Sequence, residues 1–115
     1  MRISLYDFGK ITVDGEAFTR DIIIGPGGVD SPWWRQEGHN LVPQDLDLAW
    51  RQVPDVLVVG TGYYGRLRVP EETARWVRAQ GVELIALPTT EAVARFNDLD
   101  AKGEGTVVAA FHLTC

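Results

Sequence analysis

One segment of the chain has four consecutive branched apolar residues, Val56 to Val59, that lead directly into a glycine-rich turn, Gly60 to Gly65. An unbroken apolar run is typical of a strand buried on both faces, because a half-exposed strand alternates apolar and polar residues. The pattern therefore predicts an interior strand of a sheet. Any ligand site is expected near the loop that follows it.

From residue 43 onward the chain alternates between helical and strand patterns. Helices are predicted to begin at Pro43, Pro70 and Pro88, since proline has no amide to leave unpaired in a first turn. Thr89 is a candidate cap for the third helix. Strands are predicted over residues 82–87 and 106–113. The inward-facing helical positions, taken from their spacing, are Leu46, Ala49, Trp50, Val53, Ala74, Trp76, Val77, Ala92, Val93, Phe96 and Leu99.

The first 42 residues are predicted to be mostly β-hairpin and loop. Asp14-Gly15 lies between two strand-like arms and favours a tight turn, because both residues tolerate positive φ. The apolar run ending at Ile24 either extends the second arm or forms a third strand, and the segment from Gly25 to Gly28 is expected to break regular structure. Strands joined through helices pair in parallel. The prediction is a single α/β domain over residues 1–115, with a mixed sheet, an N-terminal antiparallel hairpin and a C-terminal βαβαβ unit.

Composition narrows the possible partners and compartments. The net charge of −5 argues against a nucleic-acid-binding surface. A single cysteine excludes an internal disulfide and fits a reducing compartment. Because no apolar run approaches the ~18 residues that a membrane helix needs, we expect a cytoplasmic protein without membrane insertion.

The turn after the valine-rich strand, Gly60-Thr-Gly62-Tyr-Tyr-Gly65, matches the G-x-G-x-x-G pattern of dinucleotide-binding sites. In that motif the helix opens within the glycine turn, whereas here the next helix is predicted at Pro70. An acidic residue is also expected at the end of the following strand, but that strand ends in Leu87-Pro88. A tight loop is therefore the better interpretation, and no cofactor is predicted.

The position of this loop still makes it a candidate binding site, because ligands of open α/β sheets sit beyond the carboxyl ends of parallel strands. The free amides of the helix after Thr89 could bind a small anion, or Thr89 could simply cap that helix. The residues predicted at these strand ends are Thr61, Gly62, Tyr63, Tyr64, Thr89 and Thr90.

Other candidate residues give weaker signals. His39, His112 and Cys115 lack the close spacing of a zinc site, so no metal site is predicted. Trp33 and Trp34 precede Arg35, a combination typical of interaction hot spots. The alternative is that one tryptophan covers the core and the other is half-exposed. We identify no carboxylate pair suited to acid–base catalysis and no catalytic residue.

Several motifs of the chain together resemble a known family. Gly60-Thr-Gly62 follows an apolar strand, Leu87-Pro-Thr89 leads into a helix, and His112-Leu-Thr-Cys115 ends the sequence. In this order they resemble the Mth-type domain of unknown function, whose relatives include a mitochondrial complex I assembly factor. The resemblance implies a three-layer α/β fold, and the assembly-factor relative suggests protein binding. It implies no established reaction or cofactor.

Two hypotheses of function follow. The first is a non-catalytic binding or assembly module that presents Trp33, Trp34 and the Tyr63-Tyr64 loop to a protein partner. The second is a small-molecule or anion site, enzymatic or not, at loops 60–65 and 88–91. The sequence leaves the partner and the oligomeric state open.

Overall fold

The structure, a computed structural model, describes residues 1–46 and 53–115 and contains two β-sheets. The smaller sheet is antiparallel, with strand order β1-β2-β3, and comprises β1 (Ile3–Asp7), β2 (Lys10–Val13) and β3 (Glu16–Phe18). The larger sheet is mixed, with strand order β5-β4-β8-β6-β7, and comprises β4 (Ile22–Gly25), β5 (Gly28–Asp30), β6 (Val56–Thr61), β7 (Glu83–Leu87) and β8 (Val107–His112). The described helices are a 3₁₀ helix (Pro43–Leu46), α1 (Glu71–Arg78) and α2 (Thr89–Lys102).

The valine-rich strand β6 lies in the interior of the larger sheet, as predicted. It pairs in parallel with β7 on one side and β8 on the other. The chain passes from β6 through α1 to β7, and then back past β6 through α2 to β8. Because these crossovers run in opposite directions and right-handed crossovers are strongly favoured, the two helices cover opposite faces of the sheet. The predicted βαβαβ unit is confirmed.

Alternate residues of β6 belong to two separate hydrophobic cores. Val58 packs in the core that includes Phe96 of α2 and Ile11 of the smaller sheet. Leu57 packs in the other core, which includes Val77 of α1. The interior strand therefore needs apolar side chains at successive positions, which explains its unbroken run of them.

The Asp14-Gly15 turn forms as predicted. Asp14 has φ +48° and Gly15 has φ +83°, and Val13 pairs with Glu16 across the turn. Positive φ at both central residues is the geometry that matches the twist of a two-residue hairpin. At the other end of the chain, Gly103 ends α2 in the left-handed conformation, with φ +63°.

The run ending at Ile24 does form a strand, but it does not extend the first hairpin. As β4 it leaves the smaller sheet and pairs antiparallel with β8 of the larger one. Ile22, Ile23 and Ile24 are all buried, because the larger sheet is covered on both faces. The following segment from Gly25 to Gly28 interrupts regular structure as predicted, but only at Pro26 and Gly27, which form the hairpin turn between β4 and the short strand β5.

Several predicted helical positions differ in the structure. Residues 43–46 form a 3₁₀ helix with Leu46 buried, while the positions of Ala49 and Trp50 lie outside the described residues. Val53, predicted to face inward, is exposed and lies outside any helix. Ala74 and Val77 of α1 are buried as predicted, but Trp76 is exposed. In α2, Ala92 and Phe96 are buried, while Val93 and Leu99 are half-buried. None of the helices in the described residues is long and apolar enough to cross a membrane.

Candidate functional site

The carboxyl ends of the parallel strands meet at one rim of the larger sheet, which we call the carboxyl-end rim. Thr61, the last residue of β6, pairs with His112, the last residue of β8. Thr89 follows β7, and its side chain contacts Gly62 after β6 and His112 at the end of β8. The prediction that the glycine turn and the Thr89 segment share one rim is therefore confirmed.

Thr89 joins the three strand ends through its side chain. Its hydroxyl donates to the carbonyl oxygen of His112 at 2.7 Å and accepts from the amide of Gly62 at 2.8 Å. Its own amide donates to the carbonyl oxygen of Gly62 at 3.0 Å. The prediction that Thr89 caps α2 is wrong: the residue preceding the helix is Pro88, which has no side-chain acceptor. Thr89 is fully buried, and its hydroxyl is occupied by these bonds.

The glycine turn packs directly on residues Leu113 to Cys115, which we call the C-terminal segment. Gly62 has φ +104°, and a Cβ there would lie 2.6 Å from the carbonyl oxygen of Cys115. The amide of Tyr63 donates to the carbonyl of Thr114 at 2.6 Å, and the amide of Arg66 donates to that of Cys115 at 3.1 Å. These amides point into the protein, so the turn is not arranged as a nest for phosphate. The next helix begins at residue 71, consistent with the preference for a structural loop over a dinucleotide site.

The two tyrosines of the turn lie on the surface and contact a third aromatic residue that sequence analysis did not select. Phe8, in the turn between β1 and β2, lies 5.8 Å from the Tyr63 ring and 6.2 Å from the Tyr64 ring, measured between centroids. The two tyrosine rings are 5.1 Å apart in an edge-to-face arrangement. The exposed fractions are 49% for Phe8, 43% for Tyr63 and 65% for Tyr64. We call these three residues the aromatic patch.

The paired tryptophans separate into one core and one surface residue, which was the alternative considered from the sequence. Trp33 is 3% exposed and its indole donates to the carbonyl of Asp45 at 2.8 Å. Trp34 is 72% exposed. Of the remaining predicted site residues, Thr61 is buried and Thr90 is exposed at the start of α2.

A buried polar cluster, formed by Asp21, Arg35 and His112, lies at the end of β8. Oδ2 of Asp21 is 2.8 Å from Nη1 of Arg35 and 2.8 Å from Nδ1 of His112. Oδ1 of Asp21 accepts from the amide of Leu113 at 2.8 Å. The Arg35 and His112 side chains are both more than nine-tenths buried. The cluster thus fastens the segment before β4 to the end of β8.

The protonation of the cluster follows from its donors and acceptors. Burial opposes ionisation of Asp21, but hydrogen bonds from His112, Leu113 and Arg35 outweigh it and lower the pKa of the carboxyl below its usual range. Nδ1 of His112 also lies 3.0 Å from Nη2 of Arg35, which can only donate. A protonated Nδ1 therefore donates to Asp21, and a deprotonated one accepts from Arg35.

A cavity of about 400 Å³ opens beside this cluster. Asp21 and Arg35 contribute to its wall, and the guanidinium of Arg35 also stacks on Trp33, 4.7 Å from the ring centroid. Trp34, which is largely exposed, also lines the cavity. The residues around the cavity are Thr19, Arg20, Asp21, Pro32, Trp33, Trp34, Arg35 and Gly38.

Sequence analysis missed Asp21 as a partner of His112 and Phe8 as a partner of the tyrosines. Asp21 is 91 residues from His112, and the two meet only because β4 pairs with β8. The signal that was present is a carboxylate placed directly before a fully apolar strand. In the part of the chain that the structure describes, no group of three His, Cys, Asp or Glu side chains is placed to hold a metal ion.

Comparisons with solved structures agree with this fold. The conserved hypothetical protein PH1505 from Pyrococcus horikoshii OT3 is 32% identical, with a TM-score of 0.88 over 100% of both chains. A protein from Bordetella parapertussis is 31% identical, with a TM-score of 0.80 over 96% of this chain and 92% of its own. A Bordetella pertussis protein, described as a Mth938-like domain, is 25% identical, with a TM-score of 0.65 over 97% of this chain and 85% of its own.

The family model for DUF498/DUF598, described as a protein of unknown function, matches residues 3–112. This match spans both sheets and both α-helices, and it confirms the resemblance to the Mth-type domain that the sequence motifs indicated. The chain therefore belongs to the DUF498/DUF598 family of proteins of unknown function.

Proposed function

We propose that this protein is a non-catalytic binding or assembly module that contacts a protein partner through the aromatic patch. The observation that carries the proposal is the mutual contact of Phe8, Tyr63 and Tyr64, three large side chains that remain substantially exposed. Aromatic residues are enriched at interface hot spots, where each buried ring contributes a large area with little loss of side-chain freedom. Single exposed apolar residues need no explanation, but a contiguous group of them does.

The backbone beneath the patch is held in place by the same C-terminal segment. The amide of Gly9, next to Phe8, donates to the carbonyl of Leu113 at 2.9 Å, and the amide of Tyr63 donates to that of Thr114. Rings mounted on fixed backbone lose less conformational freedom on binding than rings on a mobile loop. This preorganisation favours an interaction surface over two unrelated exposed loops.

An arginine at the margin of the patch adds to this argument. The guanidinium carbon of Arg66 lies 5.8 Å from the centroid of the Tyr64 ring. Arginine and tyrosine are both enriched at hot spots. Trp33 is part of the core and Trp34 lines a separate cavity, so the proposed contact surface excludes both.

The resemblance to a family that includes a complex I assembly factor supports an assembly role for this protein. A cytoplasmic location also goes with it, because the single cysteine leaves no internal disulfide to require an oxidising compartment. The alternative is a small-molecule or anion site at loops 60–65 and 88–91. Binding there would require the segment Thr114-Cys115 to move away from the glycine turn.

The proposal is tested by capturing partners from a lysate of the source cells on the tagged protein and on two variants. The double substitution Phe8→Ala and Tyr64→Ala removes most of the patch. We expect this variant to capture at least about tenfold less of the specific partner, because truncation of a hot-spot residue typically costs about 2 kcal/mol or more of binding free energy. Trp34→Ala is the matched control, since Trp34 is a 72% exposed aromatic residue outside the patch.

Thermal unfolding of each variant distinguishes lost contact from lost fold. Both variants are expected to unfold close to the parent temperature, because substitutions at exposed positions usually change stability by within about 0.5 kcal/mol. Retention of the same proteins by the patch variant would contradict the proposal. A loss of capture that follows a loss of folded protein would contradict it as well.

A further inference from the structure

The cavity beside the buried cluster is lined by charged, polar and aromatic residues. Arg35 lies in the wall with its side chain more than nine-tenths buried. Its terminal nitrogens donate to Asp21 and to the carbonyl oxygen of Gly38, and Nη2 lies 3.0 Å from Nδ1 of His112. Nε of Arg35, by contrast, is buried and has no hydrogen-bond partner among the described residues.

An unpartnered buried N–H is costly, because the group has lost its hydrogen bonds to water without gaining another. For a guanidinium the natural partner is an oxyanion, and carboxylates are bound in preference to neutral acceptors. Nε is closed to solvent in this structure, so a ligand oxygen reaches it only when the Arg35 side chain shifts towards the cavity, and the new hydrogen bond then removes this cost.

The charges of the wall favour an anion over a cation. Two arginines, Arg20 and Arg35, and one aspartate, Asp21, contribute to it, which leaves one net positive charge. The apolar part of the wall is supplied by Pro32 and by Trp34, whose ring is largely exposed. An indole ring and arginine side chains that line the same cavity suit a ligand that combines a planar apolar body with a negative end.

We infer that this cavity is a binding site for a small planar organic anion, such as an aromatic carboxylate. The carboxylate bonds to Arg35 and is attracted by Arg20, and the planar body packs against Trp34. The volume of about 400 Å³ lies within the range of small-molecule sites. The site shares no residue with the aromatic patch, so this inference does not depend on the proposed protein-binding function.

The test is a titration of the ¹⁵N-labelled protein with benzoate, followed by NMR. We expect saturable shifts at the Nε–H of Arg35 and the indole N–H of Trp34, with a Kd of about 1 mM, as suits a ligand of this size. Benzamide has the same shape without the charge and is expected to bind at least about tenfold more weakly. Cyclohexanecarboxylate keeps the charge but is not planar, and is expected to bind severalfold more weakly.

Two surface variants test the assignment without disturbing the buried cluster. Trp34→Ala and Arg20→Gln are each expected to weaken benzoate binding by about twofold to fivefold, in line with the strength of aromatic pairs and exposed ion pairs. Trp76→Ala is the control and is expected to bind benzoate like the parent. No saturable shift of Arg35 at roughly twenty times the expected Kd would overturn the inference. Equal binding of benzoate and benzamide, or unchanged binding by Trp34→Ala, would overturn it too.

Discussion

At the scale of single residues, Thr89 has a role that its position at a helix start does not reveal. Sequence reasoning treats a threonine after Pro88 as a helix cap. In the fold its hydroxyl instead bonds to Gly62 and His112, which join the ends of three strands. A side chain of this size fits there because Gly60 has no Cβ, which would lie 2.8 Å from the Thr89 oxygen.

Replacing Thr89 with valine keeps the shape of the side chain and removes both hydrogen bonds. The amide of Gly62 and the carbonyl of His112 then remain buried with one partner fewer. We expect a loss of about 2–4 kcal/mol in the free energy of unfolding, since each unsatisfied buried group costs about 1–3 kcal/mol. Urea denaturation measures this loss. Thr90→Val, at the neighbouring exposed position, is the control, and equal effects of the two substitutions would refute the role assigned to Thr89.

Tyr6 gives a second prediction at the residue scale. Burial raises the pKa of its phenol to about 12. The folded-state pKa lies above the unfolded value of about 10. The resulting stabilisation is therefore complete below about pH 10 and is lost as the pH rises towards the folded value.

Tyrosinate absorbance across an alkaline titration tests this prediction. The protein has three tyrosines, and one of them is expected to ionise near pH 12. Tyr6→Phe should remove the rise in tyrosinate absorbance near pH 12. It should also lower stability at neutral pH by about 1 kcal/mol, through loss of the 2.8 Å hydrogen bond to the carbonyl of Leu113. If the high step persists in Tyr6→Phe, the assignment to Tyr6 is wrong.

At the scale of elements, the buried cluster fastens β4 to the end of β8. Asp21 accepts hydrogen bonds from Arg35, from the amide of Leu113 and from a protonated Nδ1 of His112, and these lower the pKa of its carboxyl against the effect of burial. A depressed folded-state pKa contributes stability that is present above the unfolded value of about 3.9. This contribution is lost as the pH falls through the folded value.

Asp21→Asn is therefore expected to remove part of the acid dependence of stability. At pH 7 it should cost about 3–5 kcal/mol, because Arg35 would stay buried without its counter-charge. Between about pH 4 and the folded-state pKa, the parent should lose stability more steeply than the variant. Urea denaturation over this range measures both effects. Asp98→Asn, an exposed position on α2, is the control, and parallel pH profiles for parent and Asp21→Asn would contradict this account.

At the scale of the whole molecule, the sequence predicted individual strands and helices, but it did not predict contacts between elements that are distant in the chain. The run from Val56 to Val59 identified the interior strand, because burial on two faces leaves a local signature. The departure of the Ile22–Ile24 run into the larger sheet left no such signature, since the same residues could pair with either sheet. The Asp21 and His112 pairing depends on that long-range arrangement, and the Phe8 and Tyr63 contact depends on the meeting of the smaller sheet with the turn after β6.

The C-terminal segment connects these features. Its backbone accepts hydrogen bonds from the turn carrying Phe8 and from the turn carrying Tyr63, and the amide of Leu113 donates to the buried cluster. The aromatic patch and the buried cluster beside the cavity are thus both held by the C-terminal segment. The aromatic patch lies over this segment, and the charged cavity opens beside the cluster. We expect a partner at the first and a small anion at the second to bind without a large change in backbone, since both are preorganised.

The central claim is that the aromatic patch is where a protein partner binds. The most direct measurement places the photo-crosslinking residue p-benzoylphenylalanine at position 64 and, in a separate protein, at position 76. Irradiation in a lysate of the source cells is predicted to give one discrete adduct from position 64, lost when Phe8 is also replaced by alanine, and none of that mass from position 76. Adducts that are the same from both positions, or none from position 64, would contradict the claim.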